Sequence, residues 1–62
     1  MQYQVGRLDG ALIISLYNAS HDPHTVKFRR TVFDVLTGQA RAPEEVINMA
    51  PMDVRLFRCE AP

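Results

Sequence analysis

Few side chains in this sequence have chemical potential, and their spacing decides what they can do. His21 and His24 flank Asp22 and Pro23 in "HDPH", Glu44 and Glu45 are adjacent, Asp9, Asp34 and Asp53 are scattered, and Cys59 is the single cysteine. A carboxylate pair for acid–base or glycosidic chemistry must face one cleft. Neighbouring residues on an extended strand point to opposite faces, so Glu44 and Glu45 diverge. Asp22, Asp34 and Asp53 fall at turns or strand edges. Metal ligation needs several converging ligands and a supporting shell. The "HDPH" stretch offers two imidazoles around a proline that keeps the loop extended, and no third ligand is evident. It reads as an exposed loop. Cys59 lacks an activating partner and ends an apolar strand, where cysteine behaves as a small hydrophobe. There is no nucleophile-elbow serine and no glycine-rich phosphate loop. The expectation is therefore no catalytic residue, no metal site and no cofactor.

Composition narrows the partners. The chain has 62 residues, with seven Lys and Arg against seven Asp and Glu, for a net charge of zero. A dedicated nucleic-acid binder rests on a concentrated basic face, and the only basic cluster is Lys27 with Arg29-Arg30 at a strand end. One cysteine excludes an intrachain disulfide, and a secreted domain this small usually carries several, so a cytoplasmic location is expected. Asn18-Ala19-Ser20 matches the N-glycosylation pattern, which is short enough to recur by chance. No apolar run approaches membrane-spanning length, and no basic-then-apolar leader precedes the first strand, so no membrane partner is expected.

The elements that must position these residues are strands. No 3.6-residue apolar period persists, whereas short β-branched and aromatic runs alternate with turn residues. In "YQVGRLDGALIISLYN", Asp9-Gly10 is a two-residue hairpin signal, because a type I′ turn needs positive φ at both central positions. That loop pairs Leu8 with Ala11, Arg7 with Leu12, Val5 with Ile14 and Tyr3 with Leu16. Directly paired residues share a face, so Tyr3, Val5, Leu12, Ile14 and Leu16 fall together and are expected to be buried. Gln4, Gly6, Ile13, Ser15 and Tyr17 take the opposite face. "ASHDP" is a loop, "HTVKFR" alternates with Val26 and Phe28 inward, and "TVFDVL" follows a bend at Arg30-Thr31. After Pro43, "EVINM" and "DVRLFRC" form the last strands, hinged at Ala50-Pro51. In the final strand Val54 and Leu56 are expected inward, with Arg55 and Phe57 outward. Six or seven short strands predict a single all-β domain over residues 1–62, a small antiparallel sandwich or Greek-key-like unit.

Two features remain. Tyr3 and Phe28 are assigned to the core, which leaves Tyr17 and Phe57 as outer-face rings for carbohydrate or for a neighbouring domain. In "FDVLTGQ", Asp34 is placed to hydrogen-bond the backbone of the turn it precedes, helped by Thr37, while Gly38 supplies positive φ. With Asp9, Gly10 and Pro51, these are the structural turn residues.

The order of motifs adds a resemblance. A strand ending in Leu16-Tyr17-Asn18 is followed by the polar loop His21-Asp22-Pro23 and the alternating strand Thr25 to Phe28. Then come the aspartate-led "DVLTG" turn, Asp34 to Gly38, and a last strand after a proline, Pro51 to Leu56. This series resembles the C-terminal β-domain of bacterial β-galactosidases of glycoside hydrolase family forty-two, and the terminal β-domains of related barrel glycosidases. The resemblance implies a non-catalytic accessory domain that packs on a (β/α)₈ barrel or neighbouring domains of a hydrolase acting on terminal galactosides. That barrel carries the family's catalytic acids and cannot fit in this length. The alternative is a small carbohydrate-binding or protein-interaction β-module.

Overall fold

A computed structural model of the chain describes residues 1–60; Ala61 and Pro62, the end of the expected domain, lie outside the described residues. Seven strands follow one another: β1 (Gln2–Leu8), β2 (Ala11–Tyr17), β3 (His24–Val26), β4 (Val32–Asp34), β5 (Gln39–Arg41), β6 (Ile47–Met49) and β7 (Val54–Glu60). They form a five-stranded antiparallel sheet, in the order β1-β2-β7-β4-β5, and a two-stranded sheet of β3 and β6. The all-β antiparallel architecture expected from the strand pattern is the one observed.

The hairpin register is also as expected, with Leu8 facing Ala11, Val5 facing Ile14 and Tyr3 facing Leu16. Its turn has φ of 51° at Asp9 and 78° at Gly10, the two positive values that a type I′ turn requires. Two further turns share a sequence form, Ala-Pro-x-x. Glu45 N–H donates to the Ala42 carbonyl at 3.2 Å, and Asp53 N–H donates to the Ala50 carbonyl at 3.1 Å. Proline presets the first central residue, and the second has positive φ, 65° at Glu44 and 63° at Met52, which makes both type II turns. Pro51 thus turns the chain from β6 into β7, as the sequence implies.

The core lies between the sheets. Leu16, Val32, Ile47, Met49, Phe57 and Cys59 are buried there, with Leu12, Ile14, Val26 and Phe28 packed around them. The Phe28 and Phe57 rings meet edge to face, with centroids 5.1 Å apart, a favoured aromatic geometry. Several strands are shorter than the apolar runs suggest: β3 stops at Val26, β4 stops at Asp34 and β6 begins at Ile47.

Two core expectations are corrected. Tyr3 is 70% exposed and Val5 is 55% exposed, although both sit on the core-facing side of their hairpin. Strands lie about 4.8 Å apart, so a two-stranded layer covers about 10 Å of a sheet roughly twice as wide. β1 lies at the edge of the larger sheet, and every residue in it is exposed. The second correction reverses β7. Phe57 is 0% exposed and central, whereas Val54 is 56% exposed. Phe57 faces Ile14 and Cys59 faces Leu12, so both join the core side, with Val54 and Leu56 on the other. The β7 sequence has an arginine in each alternating set, Arg55 and Arg58, so either choice turns one of them inward. The inward one is Arg55, whose guanidinium meets Asp53 at 3.1 Å and Asp34 at 3.3 Å.

Candidate interaction surface

The two-stranded sheet covers one face of the larger sheet. The other face can be laid out row by row from the pairings, since directly paired residues share a side. One row across the strands reads Gly6, Ile13, Arg58, Phe33 and Ala40. The next reads Gln4, Ser15 and Leu56, and a third Gln2, Tyr17 and Val54. Leu8 stands at one end, 62% exposed, and Phe33 in the middle is 45% exposed. Val35 extends this surface, because its N–H donates to the Leu56 carbonyl at 2.9 Å. Large exposed apolar side chains therefore line much of this face, and among the described residues no strand covers it. Arg58 is the charge at its centre, and Glu60 lies beside Leu8 and Ala11.

The expected outer-face rings separate here. Tyr17 is on this face, half-buried, with its hydroxyl donating to the Met52 thioether at 3.8 Å. Phe57 is in the core, so the two rings do not make one platform. Beside Tyr17 is a shallow hollow of about 540 Å³ lined by Gln2, Gln4, Ser15, Val54 and other uncharged side chains.

The "DVLTG" turn is held from inside. Asp34 is fully buried, and its Oδ1 accepts from the N–H groups of Leu36 at 3.0 Å and Thr37 at 3.2 Å. Gly38 N–H donates to the Asp34 carbonyl at 2.9 Å, with Gly38 at φ 77°. Thr37 Oγ1 accepts from Gln39 N–H at 3.4 Å. The turn roles expected of Asp34, Thr37 and Gly38 are all present. Arg55 completes the arrangement by placing a cation on the remaining Asp34 oxygen, the partner a buried carboxylate needs. At the far end of the fold, Glu45 receives Arg41 at 2.8 Å and the Ala42 N–H at 3.0 Å. The Arg41 hydrogen bond, then that from Ala42, hold its carboxyl below the ordinary glutamate value.

Asn18 is the structural residue that its sequence context hides. It is fully buried, and its Nδ2 donates toward the carbonyls of Asp22 at 2.9 Å, Ala50 at 3.1 Å and Met49 at 3.2 Å. Its Oδ1 accepts from Ser20 N–H, and its backbone bonds both Met52 and Asp53. An amide so occupied leaves no room for a glycan on the folded chain. A single Asn closing a strand before a Ser- and Pro-containing loop is the available sequence signal, since Asn commonly bonds nearby backbone. The long-range carbonyls it reaches are not in that signal.

The remaining chemical residues stay apart. His24 Nε2 lies 3.1 Å from Ser20 Oγ, His21 is exposed, and Cys59 is a buried free thiol. Among the described residues, no three His, Cys, Asp or Glu side chains converge as a metal set, and no helix is long and apolar enough to cross a membrane. Comparison with family models, curated proteins and solved structures returned no match.

Proposed function

We propose that this chain is a non-catalytic accessory β-domain of a glycoside hydrolase. It packs through the outer face of its five-stranded sheet against a catalytic (β/α)₈ barrel or a neighbouring domain. The observation that carries the docking role is that face itself: Leu8, Phe33 and Val54 are large apolar residues left about half exposed or more on one side of one sheet. Large apolar side chains left exposed together on one sheet face mark an interaction surface. The identity of the parent rests on the resemblance in the strand and turn motifs, which points to a β-galactosidase acting on terminal galactosides; the cytoplasmic location proposed for it rests on the single cysteine of so small a domain. Carboxylates committed to structure fit an accessory role, since Asp34, Asp53 and Glu45 each hold an arginine.

The genomic reading frame around the coding segment tests the parentage. A barrel with paired glutamates at strand ends, in frame with this chain, is the expected result; an isolated short frame overturns it. Docking is tested in that enzyme by Phe33→Glu. The substitution is expected to lower the melting temperature of the whole enzyme while leaving the isolated chain almost unchanged.

A second reading, carbohydrate binding, is favoured by the hollow beside Tyr17. Two aromatic rings, Tyr17 and, from the strand's other side, Tyr3, with Gln2, Gln4 and Ser15 and no charged side chain in the lining, suit a neutral sugar. Calorimetric titration with neutral galactosides should then show binding that Tyr17→Ala abolishes. Equal heats for both proteins would remove this reading.

A further inference from the structure

The outer edge of β1 carries an observation that domain docking through the sheet face does not use. β1 is seven residues long, lies at the edge of the larger sheet and is exposed throughout. Edge strands are ordinarily guarded by prolines, bulges, inward charges or shortness. This one has no proline, pairs with β2 without a bulge from Gln2 to Leu8, and contains one charged side chain, Arg7.

The hairpin geometry says which backbone groups are free. A two-residue turn closes on a hydrogen-bonded pair, Leu8 with Ala11, and such pairs then alternate along the ladder. Gly6, Gln4 and Gln2 therefore spend their N–H and C=O groups on β2. Tyr3, Val5 and Arg7 point theirs away from the sheet.

We infer that β1 is a homodimerisation strand, pairing antiparallel with β1 of a second copy of this chain about a two-fold axis at Val5. Antiparallel pairing of the whole strand, Gln2 to Leu8, has its centre at Val5. In that register Val5 meets Val5 of the copy, and Tyr3 meets Arg7. These are the residues whose backbone groups face outward, so each facing pair exchanges two hydrogen bonds, about six in all. The register also preserves face. Tyr3, Val5 and Arg7 lie on one side in both copies, and the exposed Tyr3 and Val5 side chains join across the axis. Charge agrees as well: the strand's one cation lies opposite an aromatic ring instead of opposite itself, about four residues or 13 Å from its symmetry mate. A second copy is thus matched to this edge in backbone, face and charge. The interface is isologous and closed, so it ends at a ten-stranded sheet rather than a fibre.

Sedimentation of the 62-residue chain over a wide concentration series tests this, read together with amide hydrogen exchange. The weight-average mass is expected to climb from 7.0 kDa toward twice that value. The Tyr3, Val5 and Arg7 amides should gain protection in step, while those of Gln4 and Gly6 are protected already. Val5→Pro removes an outward N–H at the axis and spares the β2 ladder, and Val5→Lys sets two cations against each other there. Both variants are expected to keep the wild-type circular dichroism and to remain monomeric. A wild-type chain that stays monomeric throughout overturns the inference and leaves the edge to an extended segment of another protein. Dimers that persist in both variants, or form without protection at Tyr3, Val5 and Arg7, overturn it in favour of contact through the apolar sheet face.

Discussion

Asn18 joins three parts of the chain that are remote in sequence: the loop after β2, the end of β6 and the start of β7. Removing its amide strands the buried Met49 carbonyl and releases those of Asp22 and Ala50, so Asn18→Ala should cost about 3 kcal/mol in chemical denaturation. A loss under about 1 kcal/mol would mean that the loop reorganises freely. Gly38 makes the opposite kind of contribution. A Cβ there meets no atom within 4 Å, so its importance lies wholly in φ, at 77°. Gly38→Val should therefore cost about 2 kcal/mol without disturbing the fold, because only the backbone is strained. Full thermal stability in that variant would contradict the turn. The two residues differ in legibility. An Asp followed by Thr-Gly announces a local turn whose backbone bonds lie within a few residues, and all of the motif but the Arg55 pairing is visible in "FDVLTGQ". The partners of Asn18 include residues more than thirty positions away, and a local pattern carries no trace of them.

At the level of strands, periodicity located every element but β5, which falls in the short return after Gly38, and it found the β1–β2 register, because a two-residue turn couples the register to the sequence. It failed where that coupling was missing. In β7, Val54 and Leu56 compete with Phe57 and Cys59, and each set brings its own arginine, Arg58 with the first and Arg55 with the second. The choice was made by Asp34, which reaches Arg55 from a different strand. Tyr3 was misplaced for another reason: facing the core side is not burial when the covering sheet is narrower than the sheet it covers. The two corrections have distinct energetic signatures. Phe57→Ala opens a cavity at the centre of the sandwich and should cost about 4 kcal/mol. Tyr3→Ala removes an exposed ring from an edge and should change monomer stability by less than about 0.5 kcal/mol. Comparable losses for the two in urea denaturation would return Tyr3 to the core.

For the molecule as a whole, stability against pH should carry the mark of Glu45. Its carboxyl is held below the ordinary value near 4.5, chiefly by Arg41. A depressed carboxylate stabilises the fold above its unfolded-state pKa, and this contribution is lost as pH falls through the folded value. Melting temperatures of wild type and Glu45→Gln should therefore differ at neutral pH and converge below about 4.5; a constant gap would exclude the linkage. The strand order has a different consequence, which concerns assembly in time. β1–β2 and β4–β5 touch through β7 alone, and β7 is the last strand of the seven. A ribosome releasing this chain has exposed every other strand before the central one appears, so the larger sheet closes only when residues 54–60 emerge. Until then the nascent chain holds a vacant slot flanked by two hairpins, the kind of gap a chaperone or a stray strand occupies. A chain ending at Asp53 should show no cooperative unfolding, and a synthetic peptide of the β7 sequence should restore it.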